Sequence, residues 1–321
     1  MGRRVAARLG QAVVVVWIVA TLAFVLIHAA PGDPFSFDAP TVSEAVRAHW
    51  RAEFGYDRPL ATQYLLWLGN LAHGNLGYSH SMHEPVRDAL AAALPRTLVL
   101  MAVALVGAFV LGILLALFQV EHRGTRRARW AGNVALFFYS VPDFWLALVM
   151  VLAFAYWLPI LPAGYPVSMA THDYMAPLAA FVDSLRHLVL PALTLVLLTT
   201  AGIARFQRNE LLDVLPLDFV RTARAKGLSE RQVVRRHVLR NALIPTITLF
   251  GLSMPTLLGG SVFVEKVFAW QGMGWVVVNA IGLRDYPMVL AGVLVGTVMV
   301  ILGNLAADLA YGLADPRLRV D

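Results

Sequence analysis

The sequence predicts an all-α, polytopic membrane protein with six transmembrane helices. Three observations carry that prediction. The 321 residues are 59% hydrophobic and only 14% charged, with a mean hydropathy of +0.67, against roughly 45–50% apolar and about 25% charged in soluble domains. Six apolar runs are long enough to cross a hydrocarbon layer ~30 Å thick at ~1.5 Å per helical residue. The lysines and arginines are concentrated on alternate connections, as a fixed orientation in a bilayer requires.

The first run, Leu9–Ala30, follows Arg3, Arg4 and Arg8. It is longer than the ~7–15-residue core of a secretory signal, and the "IHAAPGDP" that follows offers no clear small-x-small cleavage site, so it is read as a retained span. Residues 31–96 form an external segment that is expected to be largely helical. Within it "ATQYLLWLGNLAHGNLGYS" (Ala61–Ser79) has the spacing of an amphipathic surface helix running into a glycine-rich turn. The remaining spans are Thr97–Gln119, Gly132–Leu161, Leu188–Ala204, Ala242–Val264 and Met288–Tyr311. The third is long and carries Pro142, and the fourth is short and carries Pro191. Pro245 and Pro255 are expected to kink the fifth, because proline lacks an amide donor and crowds the preceding turn.

Orientation follows from charge. With the N-terminus inside, connections 120–131 and 205–241 and both chain ends share one side and hold 18 of the 26 Lys and Arg residues. Both termini are therefore expected in the cytoplasm. The net charge of +6 is a matter of membrane topology, and nothing in the chain points to nucleic acid.

Enzyme signatures are missing. There is no GxxxxGK[ST] loop for a nucleotide phosphate, no HExxH and no GxSxG, and "QGMGW" (Gln271–Trp275) lacks the preceding strand of a dinucleotide fingerprint. The chain is not expected to be an enzyme, to bind a cofactor or to hydrolyse ATP by itself. The absence of cysteine excludes thiolate metal sites. His73, His80 and His83, with Glu84, are weak metal candidates in a stretch that reads more simply as an exposed polar loop. Ionisable groups inside spans cost ~2.5–3.5 kcal/mol and are functional candidates by default. Asp143, beside Pro142 in "SVPDFW", either lines a polar path or satisfies donors freed around the proline. Asp308, with Asn304, reads as interfacial. So few buried charges weigh against a stand-alone, proton-driven secondary carrier.

The most charged stretch, Asp218 to Pro245 ("DFVRTARAKGLSERQVVRRHVLRNALIP"), holds seven of the 26 basic residues. On a helix Phe219, Val220 and Ala223 share one face and Arg221, Arg224 and Lys226 the other. Gly227 is placed as a C-cap and Ser229 as the N-cap of a second helix, so the loop reads as two short helices hinged at Gly227–Leu228. Attraction to anionic lipid, ~1 kcal/mol per basic residue, accounts for the arginines. It does not account for Thr222, Ala223, Ala225 and Gly227, whose small side chains suit close docking into a protein groove.

These residues resemble the cytoplasmic loop of inner-membrane permease subunits of ABC importers, in the dipeptide/oligopeptide/nickel family. Arg221, Thr222 and Ala223 stand where the wider superfamily has E-A-A, and Gly227 stands at its glycine. The likeness extends through "PGDP" (Pro31–Pro34), "LPRTLVL" (Leu94–Leu100), "SVPDFWLAL" (Ser140–Leu148), "VEKVFAWQGMGWVVVNAIGLRDYP" (Val264–Pro287) and "DLAYGLADPRLR" (Asp308–Arg319). Gln271 stands where the family more often has proline.

The resemblance implies a type I importer permease fold: a span over 1–30, the external segment, a five-helix core over 97–312 containing a coupling loop at 207–241, and a cytoplasmic tail at 313–321. It implies a bacterial or archaeal cytoplasmic membrane. The implied partners are a second, similar permease subunit, two ATPase subunits carrying ATP and magnesium, and an extracytoplasmic binding protein. Asp218, Phe219, Arg221, Thr222, Ala223, Arg224, Ala225, Lys226, Gly227, Leu228, Ser229 and Glu230 become the ATPase-coupling residues, with Arg224 the strongest polar contact. Pro142 and Asp143 are candidates for the translocation path. Short peptides are the implied cargo, with nickel or its chelates, glutathione and oligosaccharides as alternatives handled by the same machinery.

Overall fold

The computed structural model describes residues 2–29, 44–53, 55–253 and 261–314. In chain order the elements are α1 (Gly2–Ala29), α2 (Glu44–Glu53), α3 (Leu60–Ala72), β1 (Tyr78–Ser79), β2 (Glu84–Pro85), α4 (Val86–Glu121), α5 (Arg126–Ser140) and α6 (Asp143–Val151). They continue with α7 (Pro177–Val214), α8 (Asp218–Ala225), α9 (Glu230–Gln232), α10 (Leu239–Leu252), α11 (Val262–Val267), α12 (Met273–Gly282) and α13 (Tyr286–Ala314). Wide π turns at Leu152–Trp157 and Val233–Val238 follow α6 and α9.

Among the described residues four helices are long and apolar enough to cross a membrane: Gly10–Ala29, Val86–Glu121, Pro177–Val214 and Tyr286–Leu305. The expected third span, Gly132–Leu161, is not one straight helix. α5 and the helix from Asp143 to Trp157 meet at 104°. The cause is local: Pro142 has no amide to donate and forces Val141 into an extended conformation, φ −82° and ψ 137°. Of the expected fifth span, the 14-residue helix α10 supplies only residues 242–252, with Pro245 inside it, and Pro255 lies outside the described residues. "PGDP" and the tail from residue 315 lie outside them as well. The second and fourth spans extend well beyond their apolar runs, because their polar ends are amphipathic and find partners of their own. Pro191 sits inside α7 without ending it.

The chain divides into two compact units, residues 1–96 with 271–301, and residues 97–270 with 302–321. In the first, Val86, Ala89, Leu90 and Ala93 form a stripe at helical spacing that packs with Met273, Val276, Ala280 and Met288. α3 lies along α1, with Trp67 stacked on Phe24 at 5.5 Å and the Tyr64 hydroxyl 2.6 Å from Thr21 Oγ1. The antiparallel pair β1–β2 makes a short hairpin before α4.

In the second unit, α4, α6 and α7 enclose a core that includes Leu100, Leu146, Met150, Leu190, Leu195 and Phe268. Gly112 lets α4 and α7 approach closely: a Cβ there would lie 2.7 Å from Ile203 Cγ2 and 3.2 Å from the Ala204 nitrogen. Buried Gln207 on α7 donates to the Ala242 carbonyl and accepts from the Thr246 hydroxyl. Both of these bonds go to α10, so a polar side chain in the interior fixes a helix pairing through its carbonyl and its amide.

Candidate functional site

The loop between α7 and α10 is built on α8. Asp218 in the first turn and Arg224 in the last place each charge at the end of the helix dipole that favours it. Val220 and Ala223 are buried in a cluster with Ala116 and Val120 of α4, Leu211 of α7, and Val233, Val234 and Val238 of the π turn. The inner face of α8 is thus covered by its own chain. Phe219, expected beside Val220 and Ala223, is 40% exposed. With Asp218, Arg221, Thr222, Ala225 and Lys226 it makes up the open face.

Gly227 has φ +79°, a conformation that carries little penalty only for glycine, and its amide donates to the Arg224 carbonyl at 2.9 Å. Leu228 beyond it is half-buried against the same cluster as Val220. Ser229 caps the next turn: its hydroxyl accepts from the Gln232 amide, and the Gln232 side chain accepts from the Ser229 amide at 3.1 Å. The expected second helix begins with that turn and runs unbroken into the next span. It widens into the π turn over Val233–Val238 before α10 begins, and such turns often mark functional sites.

Ion pairs brace the loop from inside. Arg224 donates from Nε and Nη2 to the two Glu230 carboxylate oxygens at 3.0 and 2.9 Å. Arg123 Nη2 is 3.6 Å from the same carboxylate. The hydrogen bonds from Arg224 hold the Glu230 carboxyl below its usual range and outweigh burial, which acts the other way; the charges of Arg224 and Arg123 add to them. Glu121, nine-tenths buried at the end of α4, accepts from Arg235 at 2.5 and 3.2 Å, and its hydrogen bond raises the Arg235 guanidinium further. Arg224, the expected polar contact for a partner, is therefore engaged within the chain.

The other expected residues are dispersed. Pro142 is the N-cap of α6, and Asp143 accepts from the Phe144 amide at 3.2 Å, at the helix break. His73 donates from Nδ1 to the Gly69 carbonyl at the end of α3, and His83 sits at φ +55° in the hairpin turn. Among the described residues no three His, Asp or Glu side chains gather in a group that could hold a metal.

Two carboxylates went unremarked in the sequence. Buried Asp285 caps α13 by accepting from the Met288 amide. Its other oxygen accepts from the Ser79 hydroxyl and from the amide and hydroxyl of Ser81 at 2.5–3.0 Å. The "RDYP" stretch carried the signal, an acid directly before a helix with proline in its first turn. Buried Glu265 accepts from Thr97 at 2.8 Å, a pairing between residues too distant in the chain for spacing to show.

Comparison with known proteins agrees with this architecture. Residues 89–320 match the family described as binding-protein-dependent transport system inner membrane component, and residues 1–101 match its N-terminal domain. The chain is 40% identical to the di/tripeptide transport system permease protein DppB of Pseudomonas aeruginosa over 98% of each chain. It is 37% identical to the oligopeptide transport system permease protein AppB of Bacillus subtilis, over 92% of this chain and 93% of that one. The glutathione transport system permease protein GsiC of Escherichia coli is 36% identical over 94% of each. Among solved structures, a chain of the MetNI methionine ABC transporter in inward-facing conformations superposes with a TM-score of 0.52 at 20% identity, covering 74% of this chain and 99% of that one; that likeness concerns the type I importer permease fold alone. The chain belongs to the family of inner membrane components of binding-protein-dependent transport systems.

Proposed function

We propose that the chain is one permease subunit of an ATP-driven importer that takes up short peptides delivered by an extracytoplasmic binding protein. It pairs with a second permease subunit and docks two ATPase subunits, which carry the ATP and magnesium. Both termini and the loop between α7 and α10 face the cytoplasm, and α8 is the coupling helix. Similarity to peptide permeases over nearly the whole chain supports the cargo class. The observation that carries the coupling role is the division of α8 into an inner face seated on its own chain and an outer face bearing Phe219, Arg221 and Lys226.

On this reading ATP-driven closure of the ATPases pushes α8, and the push reaches α4, α7 and α10 through the buried seat. The spans then turn from inward-open to outward-open. Glutathione, a tripeptide, is a second cargo favoured by the similarity to GsiC.

The test is Phe219→Asp. An exposed side chain can be changed with little effect on the chain's own stability, within about 0.5 kcal/mol, so membrane insertion and thermal stability are expected to hold. ATPase co-purification and di- and tripeptide uptake are expected to fall together. Retention of both excludes α8 as the docking helix.

A further inference from the structure

The start of α5 bears three arginines that the coupling role does not use. Arg126, Arg127 and Arg129 fall in its first turn, which contains no acid. That is the reverse of the arrangement the helix dipole favours, so an anion at this end relieves an unfavourable charge distribution. Arg129 borders a cleft of about 320 Å³ between α5, the end of α4 and the polar half of α7. Arg123, Arg205 and Arg208 border it as well, with the amides of Gln119 and Asn133.

No acidic residue lines the cleft. Arg123 reaches Glu230 at 3.6 Å. Among the described residues Arg129, Arg205 and Arg208 have no carboxylate within ion-pair distance and no side-chain hydrogen bond. The cleft also has an apolar wall, with Leu115 and Leu136. On its opposite face α5 turns outward Trp130, 70% exposed, and Phe137. Aromatic rings at the level where a span passes from apolar to charged residues mark the headgroup layer of a membrane. On that face a second, more apolar cleft has Phe118 and Trp130 with Arg126 and Arg127, so both flanks of this helix combine oily surface with guanidinium groups.

We propose that the cleft between α4, α5 and α7 binds the phosphate of an anionic phospholipid headgroup. The guanidinium groups of Arg129, Arg205 and Arg208 hold the phosphate oxygens, Gln119 and Asn133 supply neutral donors, and the acyl chains leave along Leu115 and Leu136. Guanidinium groups pair with phosphate through parallel N–H donors, and basic pockets between spans on the cytoplasmic side are suited to such headgroups. The site needs only the membrane and the cytoplasmic placement of this end of the bundle, and is independent of which solute is carried. A lipid held here ties three helices together beside the coupling loop.

The test uses the whole transporter, with its partner subunits, in phosphatidylcholine nanodiscs that contain or lack phosphatidylglycerol. Retained lipid is read by native mass spectrometry. Two variants are compared with the unmodified chain: Arg129→Gln with Arg205→Gln and Arg208→Gln, and the same three positions changed to Lys as a charge-preserving control. Phosphatidylglycerol is expected to stay on the unmodified chain and, more weakly, on the Lys variant. At about fivefold per arginine, affinity falls roughly a hundredfold in the Gln variant. Equal retention by the Gln variant, with an unchanged thermal midpoint, overturns the proposal. Displacement of the lipid by millimolar inorganic phosphate assigns the cleft to free phosphate and overturns the lipid assignment. Loss of an ATPase or permease subunit from the Gln variant, with lipid retention unchanged, assigns the arginines to a protein partner and likewise overturns it.

Discussion

The pair Arg224–Glu230 decides whether α8 is held by its own chain or by a partner. The perturbation is a double-mutant cycle of Arg224→Gln, Glu230→Gln and both together. The geometry is bidentate, at 3.0 and 2.9 Å, but the two side chains are 36% and 48% exposed, so solvent screens the attraction. Exposed pairs measure ~0.2–1 kcal/mol, and the forked geometry places this one near the upper end, about 1 kcal/mol. That is roughly a fivefold change in the balance between seated and unseated α8.

The assay is peptide uptake per ATP hydrolysed in proteoliposomes containing the complete transporter. Each single change is expected to lower the ratio by a few-fold, and the double change to lower it no further, because either one already removes the pair. Effects that multiply in the double variant refute the reasoning, since they mean Arg224 and Glu230 act on different partners. The pH dependence has a definite sign. The Glu230 carboxyl is held below its ordinary range, so its contribution is complete above the ordinary Glu value of ~4.3 and is lost only as pH falls through the lowered value. The pair's contribution is therefore expected to be full and independent of pH between about pH 6 and pH 8.

Other changes test other parts of the chain. Gly227→Val forces a branched side chain into φ +79° at about 1–2 kcal/mol; uptake is expected to fall while the spans still insert, and an unaffected transporter shows that the turn is not needed. Gly112→Ala drives a methyl into Ile203 and the backbone of α7, costing about 1–3 kcal/mol, measurable as a lower thermal midpoint in detergent. Asp285→Asn weakens charge-assisted bonds to Ser79 and Ser81 by about 2 kcal/mol; an unchanged midpoint shows that the hairpin does not depend on the carboxylate.

Much of the fold was legible because apolar runs announce spans regardless of context, as at α1, α4, α7 and α13. The break at Val141–Pro142 was not, since hydropathy is blind to direction and the apolar run continues through it. The ends of α4 and α7 were missed for a related reason: residues such as Val86 and Leu211 are buried by partners distant in the chain, in surroundings too polar to read as membrane. In the loop between α7 and α10 the caps at Gly227 and Ser229 were legible, since they act on neighbours within a few residues. The covered face was not, because only the tertiary structure brings Ala116 and Leu211 beneath Val220 and Ala223. The outward turn of Phe219 and the inward engagement of Arg224 follow from that same covering.

The buried seat of α8 has a mechanical consequence. A loop attached only at its two ends yields when pushed, and most of an applied displacement is lost in bending it. α8 is fixed along its length by interlocked side chains and clasped across its far turn. It therefore behaves as a rigid tooth cut into the helices behind it, and a displacement of its outer face carries those helices with it.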